Sequence, residues 1–130
     1  MADNFDFWQD HSDQFLGMAY LYDRREKMEN PDGCASKTGD CGDSITMYLQ
    51  IIEERVEKLT FELDGCINTN ACCNVVAELI EGKPLESCWQ ITPTDIIDYL
   101  RTLPADHHHC AELAVGTLYL ALSDFSATQS

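Results

Sequence analysis

The sequence predicts an α+β domain, and two observations carry that prediction. The stretches SITMYLQI and LTFELDG alternate apolar and polar residues and flank a short polar turn, which is typical of an antiparallel hairpin. Elsewhere apolar residues recur three and four positions apart, the spacing of amphipathic helices. With 130 residues, the chain has the length of a single domain with its own core.

The first half of the chain is predicted to hold one helix, one loop and the hairpin. The spacing of Phe7, Phe15 and Tyr22 predicts an N-terminal helix over 5–25. The next segment, NPDGCASKTGDCGDS, is dense in Gly, Asp and Ser, so an irregular loop is expected over 30–44. The hairpin then occupies 44–64, and its two strands are the only strands that the pattern predicts.

Start and stop signals define the helices of the second half. Thr92 is placed to cap a helix that begins at Pro93, and Gly82 is placed to end the helix before it. The last residues, SATQS, are expected to be a frayed tail. Helices are therefore predicted at 69–81, 93–102 and 109–124.

The charge of the chain excludes several classes of partner. It has 23 acidic and 8 basic residues, a formal net charge of −15, which repels nucleic-acid phosphates and anionic membrane surfaces. The N-terminus is acidic where a signal peptide needs basic residues, and no run approaches the roughly 18 apolar residues of a membrane span. We therefore expect a cytoplasmic protein that binds neither nucleic acid nor membrane.

The cysteines indicate metal or thiol chemistry. Seven is an odd number and a high one for a reducing compartment, so a complete disulfide framework is not expected. Cys41 precedes the hairpin, Cys66 follows its second strand, and Cys110 lies at a helix start. Helix N-termini favour thiolates, so Cys110 is the expected thiolate. The spacings match neither a CxxC zinc knuckle nor a ferredoxin run.

Four segments follow one another in an order that points to a known family. They are GDCGDSITMYLQI, FELDGC, GKPLESCWQITPTDIIDYL and the His-Cys pair of LPADHHHC, within roughly residues 30–125. Together they resemble the IscU and NifU N-terminal family of iron–sulfur cluster scaffold proteins. The resemblance implies a small three-stranded antiparallel sheet packed against helices, one strand more than the pattern predicts. It also implies a metal site at the motif positions: Cys41, Asp43, Cys66, His109 and Cys110.

The resemblance also implies a function without catalysis. A scaffold of this family is not an enzyme: a transient [2Fe–2S] cluster, or a [4Fe–4S] cluster on a dimer, is assembled on it and passed to recipient apo-iron–sulfur proteins. Iron is bound directly, and sulfur arrives as a persulfide from a cysteine desulfurase of the IscS or NifS type. Three thiolates plus one oxygen or nitrogen suit a cluster that must be released. The fourth ligand is Asp43 or His109, and the protein is a monomer or a homodimer.

Two other functions remain open. The same donor set can hold Zn²⁺, so the chain is alternatively a zinc-binding sulfur acceptor or regulator of a cysteine desulfurase. A purely thiol-based redox protein is the other alternative. Both differ from a scaffold in that no cluster is built.

The sequence departs from the family at the His-Cys motif and at the extra cysteines. Relatives commonly read Leu-Pro-Pro-Val-Lys-Leu-His-Cys where this chain reads LPADHHHC, which puts recognition by an Hsp70-type chaperone in doubt. We interpret His107 and His108 as surface residues. Packing is favoured over metal ligation for two of the extra cysteines, and a solvated loop thiol is favoured for the third. These auxiliary thiols are Cys72, Cys73 and Cys34.

Overall fold

The computed structural model describes residues 11–128. In chain order the elements are α1 (Asp13–Ala19), β1 (Gly33–Thr38), β2 (Ser44–Ile52), β3 (Arg55–Asp64), α2 (Ile67–Ile80), α3 (Leu85–Cys88), α4 (Pro93–Leu100), a 3₁₀ turn (Ala105–His107) and α5 (His108–Thr128). The three strands form one antiparallel sheet with helices packed against it. The α+β class and the three-stranded sheet are thus confirmed.

The sheet has the order β1-β2-β3, with each strand antiparallel to its neighbour. Strands β2 and β3 are joined by Glu53 and Glu54, whose φ values of 53° and 61° are both left-handed. A two-residue turn of this kind matches the twist of a hairpin. The pairing runs from Ile52 opposite Arg55 to Ser44 opposite Asp64. The start of β2 and the end of β3 therefore lie at the same edge of the sheet.

The core lies between the sheet and the two long helices. Strand β2 alternates as expected, and its residues Ile45, Met47 and Leu49 are fully buried. Helix α5 packs on β1 and β2, while α2 packs on α1, α5 and β3. At Gly33 an added Cβ would lie 2.5 Å from a backbone oxygen of α5, so this approach of strand to helix requires glycine. Within residues 11–128, no helix has both the length and the apolar character needed to span a bilayer.

The predicted loop over 30–44 was wrong in its middle, where β1 forms. The segment GCASKT is rich in turn-forming and polar residues, but its backbone completes a ladder with β2 from Gly33 opposite Leu49 to Thr38 opposite Ser44. Hydroxyl pairs reinforce this exposed edge: Ser36 lies 2.6 Å from Thr46, and Thr38 lies 2.9 Å from Ser44. Pairing with a neighbouring strand thus overrode the local preference for a loop.

The predicted helix over 5–25 was too long within the described part. Ser12 caps α1 by accepting a 3.0 Å hydrogen bond from the backbone of Phe15, and the helix ends at Ala19. Residues 5–10 lie outside the described residues. Beyond α1, the side-chain amides of Asn70 and Asn74 each donate to the carbonyl of Leu21, which holds the chain in a non-helical path.

The later helices lie near their predicted bounds. Helix α2 starts two residues before the predicted 69, and α4 starts at Pro93 with Thr92 as its cap. Helix α5 continues to Thr128, so most of the tail that was expected to fray is helical. The short helix α3 was not predicted.

Candidate metal centre

The candidate centre lies where one edge of the sheet meets the starts of α2 and α5. Asp43 directly precedes β2, and Cys66 is the N-cap residue of α2, separated from the end of β3 by Gly65 alone. Because Ser44 pairs with Asp64, the hairpin register places these two residues side by side. Cys110 lies in the first turn of α5, which packs on α2 and the sheet. Three separate parts of the chain therefore meet at one point.

Three side chains form a compact group of donor atoms. The ligand atoms of Cys66, His107 and Cys110 all lie within 4.8 Å of one another, and His107 Nδ1 is 3.9 Å from Cys110 Sγ. In a tetrahedral zinc site, bond lengths place two sulfurs about 3.8 Å apart and sulfur and nitrogen about 3.5 Å apart. The group therefore has nearly the size of a single-ion site. We call it the inner group.

Asp43 is linked to the inner group through Thr69. The Thr69 side chain is fully buried, and its hydroxyl is 2.6 Å from Asp43 Oδ2 and 3.3 Å from Cys110 Sγ. Cys66 Sγ is 3.7 Å from the same oxygen. A hydroxyl has a single proton to donate, and the short contact to the carboxylate is the stronger one. Thr69 therefore holds Asp43 beside the thiols.

Cys41 and His109 lie on the open side of the centre. Both are exposed, and both line an open pocket together with Lys37 and Glu112. His109 Nε2 is 3.6 Å from Cys110 Sγ, so it contacts one thiol of the inner group without belonging to the group. The five residues implied by the resemblance are thus neighbours, with Cys66 and Cys110 inside and Cys41 and His109 outside.

The glycines of two motifs have a structural reason. Gly42, in Cys-Gly-Asp, has a φ of 93°, which an L side chain rarely adopts. Gly65, in Gly-Cys, leaves no room for a Cβ, which would lie 2.8 Å from the carboxylate of Asp43. These motifs therefore shape the backbone around the carboxylate as well as supplying ligands.

The two inner thiols differ in acidity, and the expectation for Cys110 was wrong. Cys110 is fully buried, and this burial, together with the nearby Cys66, Asp43 and Cys41, raises its pKa to about 11. Burial also acts to raise the pKa of Cys66, but hydrogen bonds from the backbone amides of Thr69 and Asn68 and from the Asn68 side chain outweigh it and lower that pKa. The readily formed thiolate is therefore at the start of α2 rather than α5.

The auxiliary thiols lie away from the open pocket. Cys72 and Cys73 are fully buried in α2, and burial raises both pKa values. Cys34, expected to be a solvated loop thiol, instead lies half-buried in strand β1, where burial and the charge of Asp124 raise its pKa. Cys88 is fully buried in α3. All seven cysteines are free thiols.

The structure brings two residues into the centre that were not predicted as site residues, His107 and Thr69. His107, interpreted as a surface residue, is half-buried against Cys110. His107 lies three residues before Cys110, a separation at which side chains of a helix contact each other, and this separation could have identified it. Thr69 gave no such signal, because its role depends on contacts with residues distant in the sequence. His108 points elsewhere and donates from Nε2 to the carbonyl of Leu103 at 3.2 Å.

The donors fit a thiophilic metal. Two thiolates and an imidazole are the ligands preferred by zinc and by iron in sulfur-rich sites, whereas magnesium and calcium prefer oxygen. An open pocket beside such donors leaves room for a further ligand or a larger cargo. The arrangement can therefore bind a soft metal and expose it on one side.

Two named relatives resemble this chain over much of its length. The chain is 31% identical over 100 residues to the iron–sulfur cluster assembly scaffold protein IscU 1 of Archaeoglobus fulgidus, covering 76% of this chain and 65% of that protein. It is 31% identical over 88 residues to the scaffold protein IscU of Escherichia coli K12, covering 67% and 68%. The chain thus spans slightly less than two thirds of the archaeal relative.

Solved structures show the same fold at lower identity. A protein of Fervidobacterium islandicum AW-1, which its name connects with iron–sulfur cluster assembly in the SUF system, superposes with a TM-score of 0.74 at 22% identity, covering 88% of this chain and 97% of that one. The N-terminal part of a NifU-like protein from Brucella abortus gives 0.71 at 16%, covering 89% and 94%.

A family match covers most of the chain. The family described as the NifU-like N terminal domain matches residues 25–130, a span that contains every residue of the candidate centre. The resemblance of the motifs to the IscU and NifU N-terminal family is thereby confirmed. The protein belongs to the NifU-like N-terminal domain family.

Proposed function

We propose that this protein is a scaffold on which a [2Fe–2S] cluster is assembled and then transferred to apo-iron–sulfur proteins. The observation that carries the proposal is the inner group, whose thiols Cys66 and Cys110 lie within 4.8 Å of an imidazole and beside an open pocket containing Cys41. A compact thiol group supports binding of iron, and the open side supports release. The relatives named as scaffold proteins support the same function.

The proposed ligands divide between the two sides of the centre. Cys66 and Cys110 supply inner thiolates, Cys41 supplies an exposed one, and Asp43 or His109 supplies the fourth donor. The 2.6 Å hydrogen bond from Thr69 draws electron density from Asp43 Oδ2, an oxygen available to bind iron. That hydrogen bond weakens the bond from Oδ2 to the metal and makes Asp43 a readily displaced ligand. Lability of this kind suits a cargo that has to leave.

Sulfur is proposed to arrive from a cysteine desulfurase as a persulfide. A thiolate of the scaffold attacks the outer sulfur, a new sulfur–sulfur bond forms on the scaffold, and the desulfurase cysteine leaves as a thiolate. Cys66 is suited to this attack by its lowered pKa, and Cys41 by its exposure. Cys110 is buried and largely protonated, which suits it to hold metal after deprotonation.

The scaffold role implies binding rather than catalysis, so the proposal assigns no enzymatic activity. Its partners are the desulfurase and the recipient apo-proteins, whereas Hsp70-type chaperone recognition stays in doubt because LPADHHHC departs from the family motif. The net charge of −15 disfavours nucleic acid and anionic membranes as partners. Seven free thiols suit the reducing cytoplasm.

Anaerobic reconstitution tests the proposal. The protein is incubated with ferrous iron, cysteine, a cysteine desulfurase and dithiothreitol, which supplies electrons to reduce persulfide sulfur to sulfide, and absorption, acid-labile sulfide and transfer to apo-ferredoxin are measured. We expect a sulfide-to-iron charge-transfer band that moves to the ferredoxin. Cys41→Ser should abolish a stable cluster, whereas Cys88→Ser, at a buried thiol of α3, should retain it. A tightly held zinc ion with no cluster under any condition would contradict the scaffold function.

The alternative is a zinc-binding sulfur acceptor or regulator of a desulfurase. The dimensions of the inner group favour it specifically, because three donors at this separation suit one ion. The same reconstitution separates the two functions. Stimulated desulfurase turnover with zinc retained and no labile sulfide would favour the alternative.

A further inference from the structure

His107 lies in the inner group, although the family motifs do not include it. The motif residue is His109, yet the imidazole that shares the inner group with both thiols belongs to His107. The relatives' common motif quoted above carries a lysine at this position, so an imidazole here departs from that motif. We propose that His107, rather than His109, is the imidazole ligand of a single divalent metal ion bound by Cys66 and Cys110.

Burial and backbone geometry support His107 as the ligand. It ends the 3₁₀ turn that leads into α5, and its backbone N–H donates to the carbonyl of Pro104 at 2.8 Å. The ring is half-buried and is held 5.8 Å, centroid to centroid, from the ring of His109. A ligand on a fixed turn loses little freedom on binding, whereas the exposed ring of His109 has to be ordered.

Distances separate the two histidines further. His107 Nδ1 is 3.9 Å from Cys110 Sγ, and a ring nitrogen also lies within 4.8 Å of Cys66 Sγ. His109 approaches Cys110 at 3.6 Å but is outside the inner group. A metal ion has to contact all its ligands at once, at about 2.0 to 2.3 Å. Closeness to both sulfurs therefore counts for more than closeness to one.

Charge favours an imidazole at this position. Two thiolates neutralise one divalent ion, and the chain already carries a net charge of −15. A neutral imidazole adds a third ligand without adding negative charge, whereas Asp43 would leave the site anionic. The three-ligand site then keeps a fourth position for an exchangeable donor such as Asp43, which Thr69 holds close by.

The proposed function and this inference fail in different ways. The inference rests on the proposed function in one respect, that the thiol centre binds metal. It does not require that a cluster be built. Metal binding to the wild type is therefore measured separately from cluster assembly, and the identity of the imidazole is measured on the metal-loaded protein.

The test is zinc and cobalt binding to histidine variants of the full chain. His107→Ala is compared with His109→Ala, and His108→Ala is the matched control because its ring is engaged by Leu103. Affinities come from competition with a chromophoric chelator. Imidazole coordination is read from X-ray absorption at the zinc edge and from the cobalt spectrum.

We expect His107→Ala to weaken zinc binding at least about 100-fold, since loss of even an outer partner of a ligand costs about 10- to 100-fold. The other two variants should weaken it by less than about tenfold. The imidazole signal should disappear from His107→Ala and persist in His109→Ala. His107→Asn serves as a second variant, and circular dichroism checks that each variant is folded.

Three outcomes overturn the inference. They are loss of the imidazole signal in His109→Ala but not in His107→Ala, retention of zinc affinity in both His107 variants, and a wild-type site with sulfur and oxygen ligands alone. If the wild type binds neither zinc nor cobalt, the metal centre itself is wrong and the proposed function fails with it.

Discussion

Replacing three buried threonines by valine should produce three different effects on stability. Valine keeps the shape and β-branching of threonine and removes the hydroxyl, so each change reports on what that hydroxyl contributes to stability. Thr69, Thr117 and Thr60 are all at most 1% exposed. Thr69 donates to a carboxylate at 2.6 Å and Thr117 to a backbone carbonyl of its own helix at 2.8 Å, whereas Thr60 finds no hydrogen-bond partner within residues 11–128.

The expected magnitudes follow from those partners. A hydrogen bond to a charged group contributes about 1.5–3 kcal/mol to stability. Because Asp43 is only half-buried, water can hydrogen-bond its carboxylate once the hydroxyl is removed. Thr69→Val should therefore cost about 1.5 kcal/mol, at the low end of that range. The neutral bond of Thr117 should cost about 0.5–1 kcal/mol. Removing the unpaired hydroxyl of Thr60 should be neutral or stabilising by up to about 1 kcal/mol.

The assay is urea unfolding of each variant, in a reducing buffer containing a chelator so that no bound metal contributes to stability. Free energies of unfolding are compared only between variants that show the same dependence on urea concentration, because a changed slope would signal an altered denatured state. If Thr69→Val costs no more than Thr60→Val, the hydroxyl of Thr69 does not hold Asp43 in the folded protein. The proposed lability of Asp43 as a metal ligand would then be refuted.

Three further predictions concern backbone space and thiol acidity. Gly65→Ala should weaken metal binding without unfolding the protein, since its Cβ would lie 2.8 Å from the Asp43 carboxylate, and chelator competition measures the loss. Gly33→Ala should lower stability by about 1–3 kcal/mol in thermal unfolding, because the added methyl separates β1 from α5. Cys66 should be alkylated faster than Cys110 near pH 8, as mass spectrometry can show. The pKa of Cys66 is lowered, whereas a pKa of about 11 leaves only about one Cys110 thiol in a thousand ionised at pH 8. Equal alkylation rates of the two thiols would contradict this order.

The hairpin and the main helices could be predicted because their signals are local. Alternation in SITMYLQI places Ile45, Met47 and Leu49 on one buried face, and this pattern survives in the folded protein. Thr92 and Pro93 likewise define the start of α4 through capping chemistry that involves four neighbouring residues. Such features depend on short stretches of chain, which the sequence displays directly.

The rest depends on contacts between distant segments. Strand β1 has no apolar alternation, and it exists because β2 offers a partner for its backbone. The acidity of Cys110 depends on burial by α2 and the sheet, which reverses the expectation from its helix start alone. His107 is placed by the 3₁₀ turn, whose path between α4 and α5 no motif specifies. These features arise from tertiary packing, which periodicity and motif spacing do not encode.

The hairpin turn controls the metal centre from a distance. The separation of Asp43 from Cys66 is set by the register of β2 on β3, and that register is fixed at the far end by the two left-handed residues Glu53 and Glu54. At about 3.3 Å per residue, the nine residues of β2 put the turn roughly 30 Å from the centre. One residue inserted there would slide the strands and misalign the ligands. Variation at this exposed tip is therefore limited by chemistry at the opposite end of the sheet.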